Sequence, residues 1–324
     1  MKAIMIYEYG GPEVLKLEER PTPAPGPGEA LVEIKAAGVN FVEIYQRMGW
    51  YKLSLPSGIG GEGAGTVTAV GPGVASVKSG DRVAWLSGSG SYATHTVMAA
   101  DKLVPVPEAL SLEHAAASMV QGLTAHVLAT RTYPLKPGDT CLVHAAAGGV
   151  GRLLCQIAKM RGAYVIGTVS SEAKAQVARE AGADETINYR ERDFEAEVKR
   201  ITNGKGVNVA YDSVGKDTFD RSLNSLAPLG YMVSYGQSSG FPPPFDIQRL
   251  AGPRSLFLTR PAVFAYTSTR EELLAHANAV FGLIIGGQLK LHIDRTFPLA
   301  QAAEAHMALA SRQTTGKLLL IPGA

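Results

Sequence analysis

The segment His144-Ala145-Ala146-Ala147-Gly148-Gly149-Val150-Gly151 has the residue types that let a backbone come close to a phosphate. It lies between a short apolar run, residues 140–145, and a stretch of helical spacing, residues 149–161. Ala146-x-Gly148-x-x-Gly151 is a form of the dinucleotide fingerprint with alanine in place of the first glycine. Small side chains are required because the turn is tight, the chain must approach a pyrophosphate, and the helix must pack closely on the strand. The free N–H groups of the helix start then face the phosphate charge. Glycines also close ordinary turns, and it is the strand–turn–helix context that favours dinucleotide binding here.

The second strand bears on which dinucleotide. A free ribose 2′-hydroxyl is usually held by Asp or Glu about 20 residues beyond the turn. In this chain that strand reads Val165-Ile166-Gly167-Thr168-Val169-Ser170-Ser171, without an acid, and Lys174 follows. A carboxylate would repel a 2′-phosphate, whereas hydroxyls and an ammonium attract it. The expectation is NADPH rather than NADH, with Lys174 as a plain solvated helix charge the alternative.

These residues need a scaffold, and the chain changes texture near residue 110. From Ser111 onward helices and strands alternate: a helix over 111–131 with Ser111 as N-cap, strands at 140–145, 164–169, 185–188, 207–212 and 231–235, and helices at 149–161, 172–181 and 194–202. In the helix after the turn, Val150, Leu153, Leu154, Ile157 and Ala158 share one face, and Gly162 occupies the place of a C-terminal glycine cap. Such alternation implies a doubly wound parallel sheet covered on both faces. Before residue 110, short strand-like runs alternate with Gly-Pro turns. In Leu31-Val32-Glu33-Ile34-Lys35 the apolar and charged residues take opposite faces. A strand at 255–259 and a helix at 271–285 follow, and the helix at 300–310 and the strand at 318–321 are expected to return to the first, β-rich domain.

At 324 residues, two domains are expected. Hydrophobic residues make up 46% and charged residues 19%, which excludes the disordered class. The formal net charge of +2, with no basic stripe, argues against nucleic acid as the partner. Cys141 and Cys155 are too few for a disulfide framework and point to a reducing compartment. No run approaches the ~20 apolar residues of a membrane span, so the expected location is the cytoplasm.

The chain resembles the zinc-free quinone oxidoreductases of the zeta-crystallin type, within the medium-chain dehydrogenase/reductase superfamily. The likeness rests on an ordered set: Gly10-Gly11-Pro12-Glu13-Val14-Leu15, Gly38-Val39-Asn40-Phe41, Leu55-Pro56-Ser57-Gly58, Gly80-Asp81-Arg82-Val83, Gly122-Leu123-Thr124, the 144–151 turn, Ile187-Asn188-Tyr189-Arg190, Tyr211-Asp212-Ser213-Val214-Gly215 and Thr259-Arg260-Pro261. It implies a GroES-like β-rich catalytic domain over 1–122 and 264–324, a Rossmann NADPH-binding domain over 123–263, a cleft between them, and a homodimer through the Rossmann domains. It assigns Asn40, Tyr45 and Tyr51 to the nicotinamide and substrate end. It assigns Thr124 and Gly148, Gly149, Val150 and Gly151 to the ribose and pyrophosphate, and Ser170, Lys174 and Tyr189 to the adenosine and its 2′-phosphate. Ser213, Gly236, Ser238, Leu258 and Arg312 line the remaining channel. Bacterial members often carry Lys where this chain has Gln121, so a charged contact there is not expected.

Zinc-dependent members use a Cys and a His-Glu pair. The corresponding stretches are Gly38-Val39-Asn40-Phe41 and Gly60-Gly61-Glu62-Gly63, where Asn40 replaces the thiolate and Gly61 the imidazole. Without those ligands no zinc is expected. Alcohol oxidation needs a Lewis acid, whereas a quinone accepts hydride readily and needs mainly alignment. Asn40, Tyr45 and Tyr51 would orient the acceptor. His144 is read as a satisfied strand-end histidine with no catalytic role. Quinone reduction, reduction of α,β-unsaturated aldehydes or ketones, and a non-catalytic NADPH- or RNA-binding role all stay open on these residues.

Overall fold

A computed structural model describes residues 1–86 and 89–323. Residues 87, 88 and 324, which belong to the expected 1–122 and 264–324 segments, lie outside the described residues. The chain forms two compact units, Met1–Leu123 with Thr267–Ala324, and Thr124–Tyr266.

The first unit is β-rich. Its larger sheet has the strand order Ile293–Pro298, Lys317–Ile321, Glu29–Val39, Glu62–Val70, Arg82–Leu86 and Val104–Pro105, with His95–Ala99 also paired to Glu29–Val39. Lys16–Glu19, Lys2–Ile6 and Ser57–Gly58 make a second, three-stranded sheet. The alternation read at 31–35 holds: Val32 and Ile34 are buried, while Lys35 is exposed and pairs with Glu33 at 2.5 Å. Both chain ends share one core, since Phe297, Leu299, Leu309, Leu318 and Leu320 pack in the same cluster as Val32, Ile34 and Trp85. Strand Lys317–Ile321 runs antiparallel to Glu29–Val39, with Leu319 opposite Gly38.

In the second unit six parallel strands lie in the order Glu185–Asn188, Tyr164–Val169, Thr140–Val143, Val207–Asp212, Leu226–Ser234 and Phe257–Thr259. Counted along the chain this is the 3-2-1-4-5-6 order of a doubly wound dinucleotide-binding sheet. Cys141, Leu142 and Val143 are all fully buried, as expected of a central strand covered on both faces. Helices Gly149–Met160, Glu172–Glu180 and Phe194–Ile201 supply the crossovers.

Four readings need adjustment. The first strand stops at Val143 and not at residue 145, because Ala145 enters the left-handed region at φ 51° and ends the extended chain. The strand expected at 231–235 begins at Leu226, with a register shift opposite residues 207–209. Val150 is half-buried, while Leu153, Leu154, Ile157 and Ala158 are buried as expected. The helix after Ser111 covers Leu112–Val127 and then widens into a π-turn over Leu128–Thr132. Ser111 does cap it, its Oγ accepting the His114 N–H at 3.1 Å. Among the described residues no helix is long and apolar enough to cross a membrane.

Candidate active site

In the second unit the glycine turn is built by a sequence of close approaches. His144 N–H donates to the Tyr211 carbonyl at 3.1 Å, fixing the strand end. Ala146 N–H then donates to the Thr168 carbonyl, and Gly148 N–H to the Ala145 carbonyl. A Cβ on Gly151 would lie 2.2 Å from the Ala145 carbonyl oxygen, and one on Gly167 would lie 2.7 Å from the Ala146 Cβ. These positions therefore exclude larger side chains for steric reasons. Helix Gly149–Met160 starts on Gly148 in extended conformation without a side-chain cap. Its first N–H groups, as at any helix start, have no intrahelical acceptors, and such a start can cradle an anion.

Buried side chains brace this turn from below. His144 contacts Thr168 Oγ1 through Nδ1 at 2.9 Å and Ser222 Oγ through Nε2 at 2.8 Å. Ser222 and Thr218 hydroxyls donate to the buried Asp212 carboxylate, which also accepts the N–H groups of Val214 and Gly215. Burial lowers the His144 pKa from its ordinary value, against the opposing pull of Asp212, so the imidazole is neutral. It is a bracing group, with both nitrogens engaged.

The C-terminal edge of this sheet collects most of the expected cofactor residues. Ser170 follows strand Tyr164–Val169, and Ser171 caps the next helix by accepting the Lys174 N–H. Tyr189 N–H donates to the Val169 carbonyl at 3.0 Å, bringing its exposed ring beside the same strand end. Ser238 N–H donates to the Ser213 carbonyl, and a Cβ on Gly236 would fall 2.6 Å from that oxygen. Ligands of such sheets bind at this edge. Leu258 is different: it lies within strand Phe257–Thr259, opposite Met232, and packs on the apolar cluster. Thr124 is half-buried on helix Leu112–Val127. Arg312 lies just past helix Ala302–Ala310 at φ 57°, in the other unit.

In the first unit, Asn40, Tyr45 and Tyr51 come from one short segment. Asn40 is the N-cap of helix Phe41–Arg47, and Glu43 accepts its N–H at 2.6 Å. The Tyr45 carbonyl accepts the N–H groups of Trp50 and Tyr51, closing the chain into a tight turn. Tyr45 stacks on Trp50 with centroids 5.4 Å apart and meets the Tyr51 ring edge-on at 5.6 Å. Tyr45 is buried, whereas Tyr51 is 39% exposed. Gln121 is buried on helix Leu112–Val127.

Beneath Asn40 lies a network that the sequence reading did not identify. Glu43, Glu62 and Lys317 are each fully buried. Lys317 Nζ donates to Asn40 Oδ1 at 2.6 Å, to the Val39 carbonyl at 3.3 Å and to Glu62 Oε1. Asn40 Nδ2 donates to Glu62 Oε1 at 2.8 Å, and Glu62 Oε2 accepts the Val120 N–H. Glu43 Oε1 accepts the Gly61 N–H at 3.0 Å. Burial pushes the Glu43 carboxyl up to about 7; Lys317 opposes the rise and the neighbouring Glu62 adds to it. The amide of Asn40 is thus engaged at both ends by interior partners.

The spacing Asn40-x-x-Glu43 is a capping-box signal and could have revealed the helix and one carboxylate. Glu62 and Lys317 carry no local signal. At the zinc-ligand stretches, Asn40 holds the amide just described and Gly61 offers only backbone. Among the described residues no group of three or more His, Cys, Asp or Glu side chains is placed to hold a metal ion.

Known proteins resemble this chain along its whole length. Residues 26–108 match the alcohol dehydrogenase GroES-like domain, and residues 149–277 match the zinc-binding dehydrogenase family. Over 323 residues the chain is 47% identical to the quinone oxidoreductase of Pseudomonas aeruginosa, covering 99% of each. The chain belongs to the quinone oxidoreductase family. This family member also superposes with a TM-score of 0.97 on the solved Escherichia coli quinone oxidoreductase complexed with NADPH, at 46% identity over 99% of this chain and 100% of that one. It is 42% identical to a 2-haloacrylate reductase from a Burkholderia species, again over 99% of each chain. For a quinone oxidoreductase of the medium-chain dehydrogenase/reductase superfamily, the GroES-like and Rossmann-type parts are the expected architecture.

Proposed function

We propose that this protein reduces quinones with NADPH. The observation that carries the cofactor reading is the cradle at Gly148–Gly151, where a Cβ on Gly151 would strike the Ala145 carbonyl at 2.2 Å. The strand ending in Val169-Ser170-Ser171 without a carboxylate supports NADPH over NADH. Full-length likeness to quinone oxidoreductases supports the acceptor class.

Residues 123–263 bind the cofactor, and residues 1–122 with 264–324 form the catalytic part. Gly148, Gly149, Val150 and Gly151 receive the pyrophosphate on backbone N–H groups. Ser170, Lys174 and Tyr189 surround the 2′-phosphate. Thr124, Ser213, Gly236 and Ser238 hold the ribose and nicotinamide side. When bound, NADPH supplies the hydride. Asn40 fixes the turn that carries Tyr45 and Tyr51, and these rings orient the acceptor. Solvent supplies the proton that completes the hydroquinone. Alignment is the protein's main contribution, and a quinone needs no Lewis acid.

The edge strand Phe257–Thr259, with the Phe257 ring exposed, supports a homodimer joined through the nucleotide-binding units. The cytoplasm is the proposed location. The likeness to a 2-haloacrylate reductase favours a second reading, reduction of a conjugated carbonyl compound.

A panel of benzoquinones, naphthoquinones, enals and 2-haloacrylate, each with NADPH, separates the two readings. Higher kcat/KM on quinones is expected. Preference for enals or haloacrylate transfers the function to the second reading.

A further inference from the structure

The buried network under Asn40 does more than fill space. Each of the three Lys317 ammonium protons has an acceptor: Asn40 Oδ1, the Val39 carbonyl and Glu62 Oε1. Glu62 in turn reaches Asn40 with one oxygen and the Val120 N–H with the other. Room for that carboxylate is made by Gly38, where a Cβ would lie 2.0 Å from Glu62 Oε1. Strands Glu29–Val39, Glu62–Val70 and Lys317–Ile321, the N-cap of Phe41–Arg47 and the middle of Leu112–Val127 therefore meet at one ion pair. It lies at the stretches that correspond to zinc ligands in the metal-dependent members of the superfamily.

We propose that the Glu62–Lys317 ion pair is the positioning element of the catalytic segment, holding the Asn40 amide so that residues 40–51 present Tyr45 and Tyr51 in one geometry. The proposal rests on the assignment of Asn40, Tyr45 and Tyr51 to the nicotinamide and substrate end. A fixed cation held by the Glu62 carboxylate, the Asn40 amide and the Val39 carbonyl draws separate chain segments to one point and prevents their relaxation. Neither Glu62 nor Lys317 is a catalytic residue, since both are enclosed and act through Asn40.

The test uses Lys317→Met, the charge-neutral double variant Lys317→Met/Glu62→Gln, and Gly38→Ala. Lys317→Met leaves buried carboxylates without their cation and should lower Tm. The neutral pair should recover Tm. Affinity is then measured for NADPH and for 2′-phospho-ADP-ribose, which lacks the nicotinamide. The double variant should bind 2′-phospho-ADP-ribose within roughly twofold of wild type, lose the extra affinity that the nicotinamide confers, and show kcat for a benzoquinone lowered by about ten- to a hundredfold with KM changed less. A merely structural pair would give wild-type kcat and wild-type NADPH affinity once Tm is recovered, and that result overturns the proposal. If the double variant does not fold, Gly38→Ala, which displaces the Glu62 carboxylate without changing charge, should show the same loss, and unchanged kcat overturns the idea. If wild type binds NADPH but turns over no quinone, the proposed substrate fails, while the comparison of NADPH with 2′-phospho-ADP-ribose still decides the positioning role. Failure of the wild type to bind NADPH overturns both.

Discussion

Lys317 Nζ donates to Asn40 Oδ1 at 2.6 Å across 277 residues of chain. The contact joins the last strand of the protein to the cap of its first α-helix. The residues Asn40, Tyr45 and Tyr51 therefore cannot be placed by the first third of the chain alone. The returning C-terminal strand is part of what fixes them.

Glu43 sits in the same network, with Lys317, Glu62 and Tyr92 as the charged or titratable groups acting around it. Its folded-state pKa of about 7 stands above the ordinary 4.5. Between those values the native state holds a proton that the unfolded chain has released. The stability from this group is thus full below about 4.5 and is lost as pH rises through about 7, a change on the order of 3 kcal/mol. Denaturant unfolding at a series of pH values should show this slope in wild type and a flatter profile in Glu43→Gln. Identical slopes in the two proteins would remove Glu43 as its source.

The glycine turn predicts a binding defect without loss of fold. Gly151→Val places a branched side chain against the Ala145 carbonyl and displaces the helix start from the pyrophosphate. The NADPH dissociation constant should rise by about tenfold or more, equivalent to about 1.4 kcal/mol. Fluorescence titration reads it directly, and wild-type affinity in a folded variant would move the pyrophosphate elsewhere.

Cofactor choice should turn on the end of the second strand. Ser170→Asp introduces a carboxylate that repels a 2′-phosphate and accepts from a 2′-hydroxyl. For unit charges near 4 Å at an effective dielectric of about 20 the penalty is about 4 kcal/mol, so the NADPH:NADH ratio of kcat/KM should fall by about a hundredfold or more. An unchanged ratio would mean that Ser170 does not face the phosphate.

Tyr51 is the exposed member of the aromatic group, and it is proposed to orient the acceptor. Tyr51→Phe keeps the ring contact with Tyr45 and removes only the hydroxyl. A lost hydrogen bond of about 0.5–1.5 kcal/mol predicts a two- to tenfold fall, approximately, in kcat/KM for quinones with NADPH affinity retained. Unchanged kinetics would take Tyr51 out of substrate orientation.

Much of the second unit was legible because its signals are local. Strands Tyr164–Val169, Glu185–Asn188 and Val207–Asp212 occur at the positions read from apolar runs between helical stretches, and Gly162 adopts the positive φ of a helix-ending glycine. Helix Phe41–Arg47 was missed although Asn40 and Glu43 mark its start. It is only seven residues long, and its Phe, Val, Ile and Tyr are weak helix formers. Helix Phe219–Asn224 is shorter still, and it contributes Ser222 to the Asp212 network. The Glu62–Lys317 pair could not be read locally. Each is a lone charge beside glycine or leucine, and their meeting depends on two strands, with the two residues 255 positions apart, both pairing with Glu29–Val39.

The central claim is NADPH-dependent reduction of quinones by alignment alone. Its most direct test is oxidation of NADPH by the purified protein with a simple benzoquinone, in the presence of a strong metal chelator. The account predicts rapid, saturable turnover that the chelator does not diminish. Tight NADPH binding without turnover, or turnover abolished by the chelator, would contradict it.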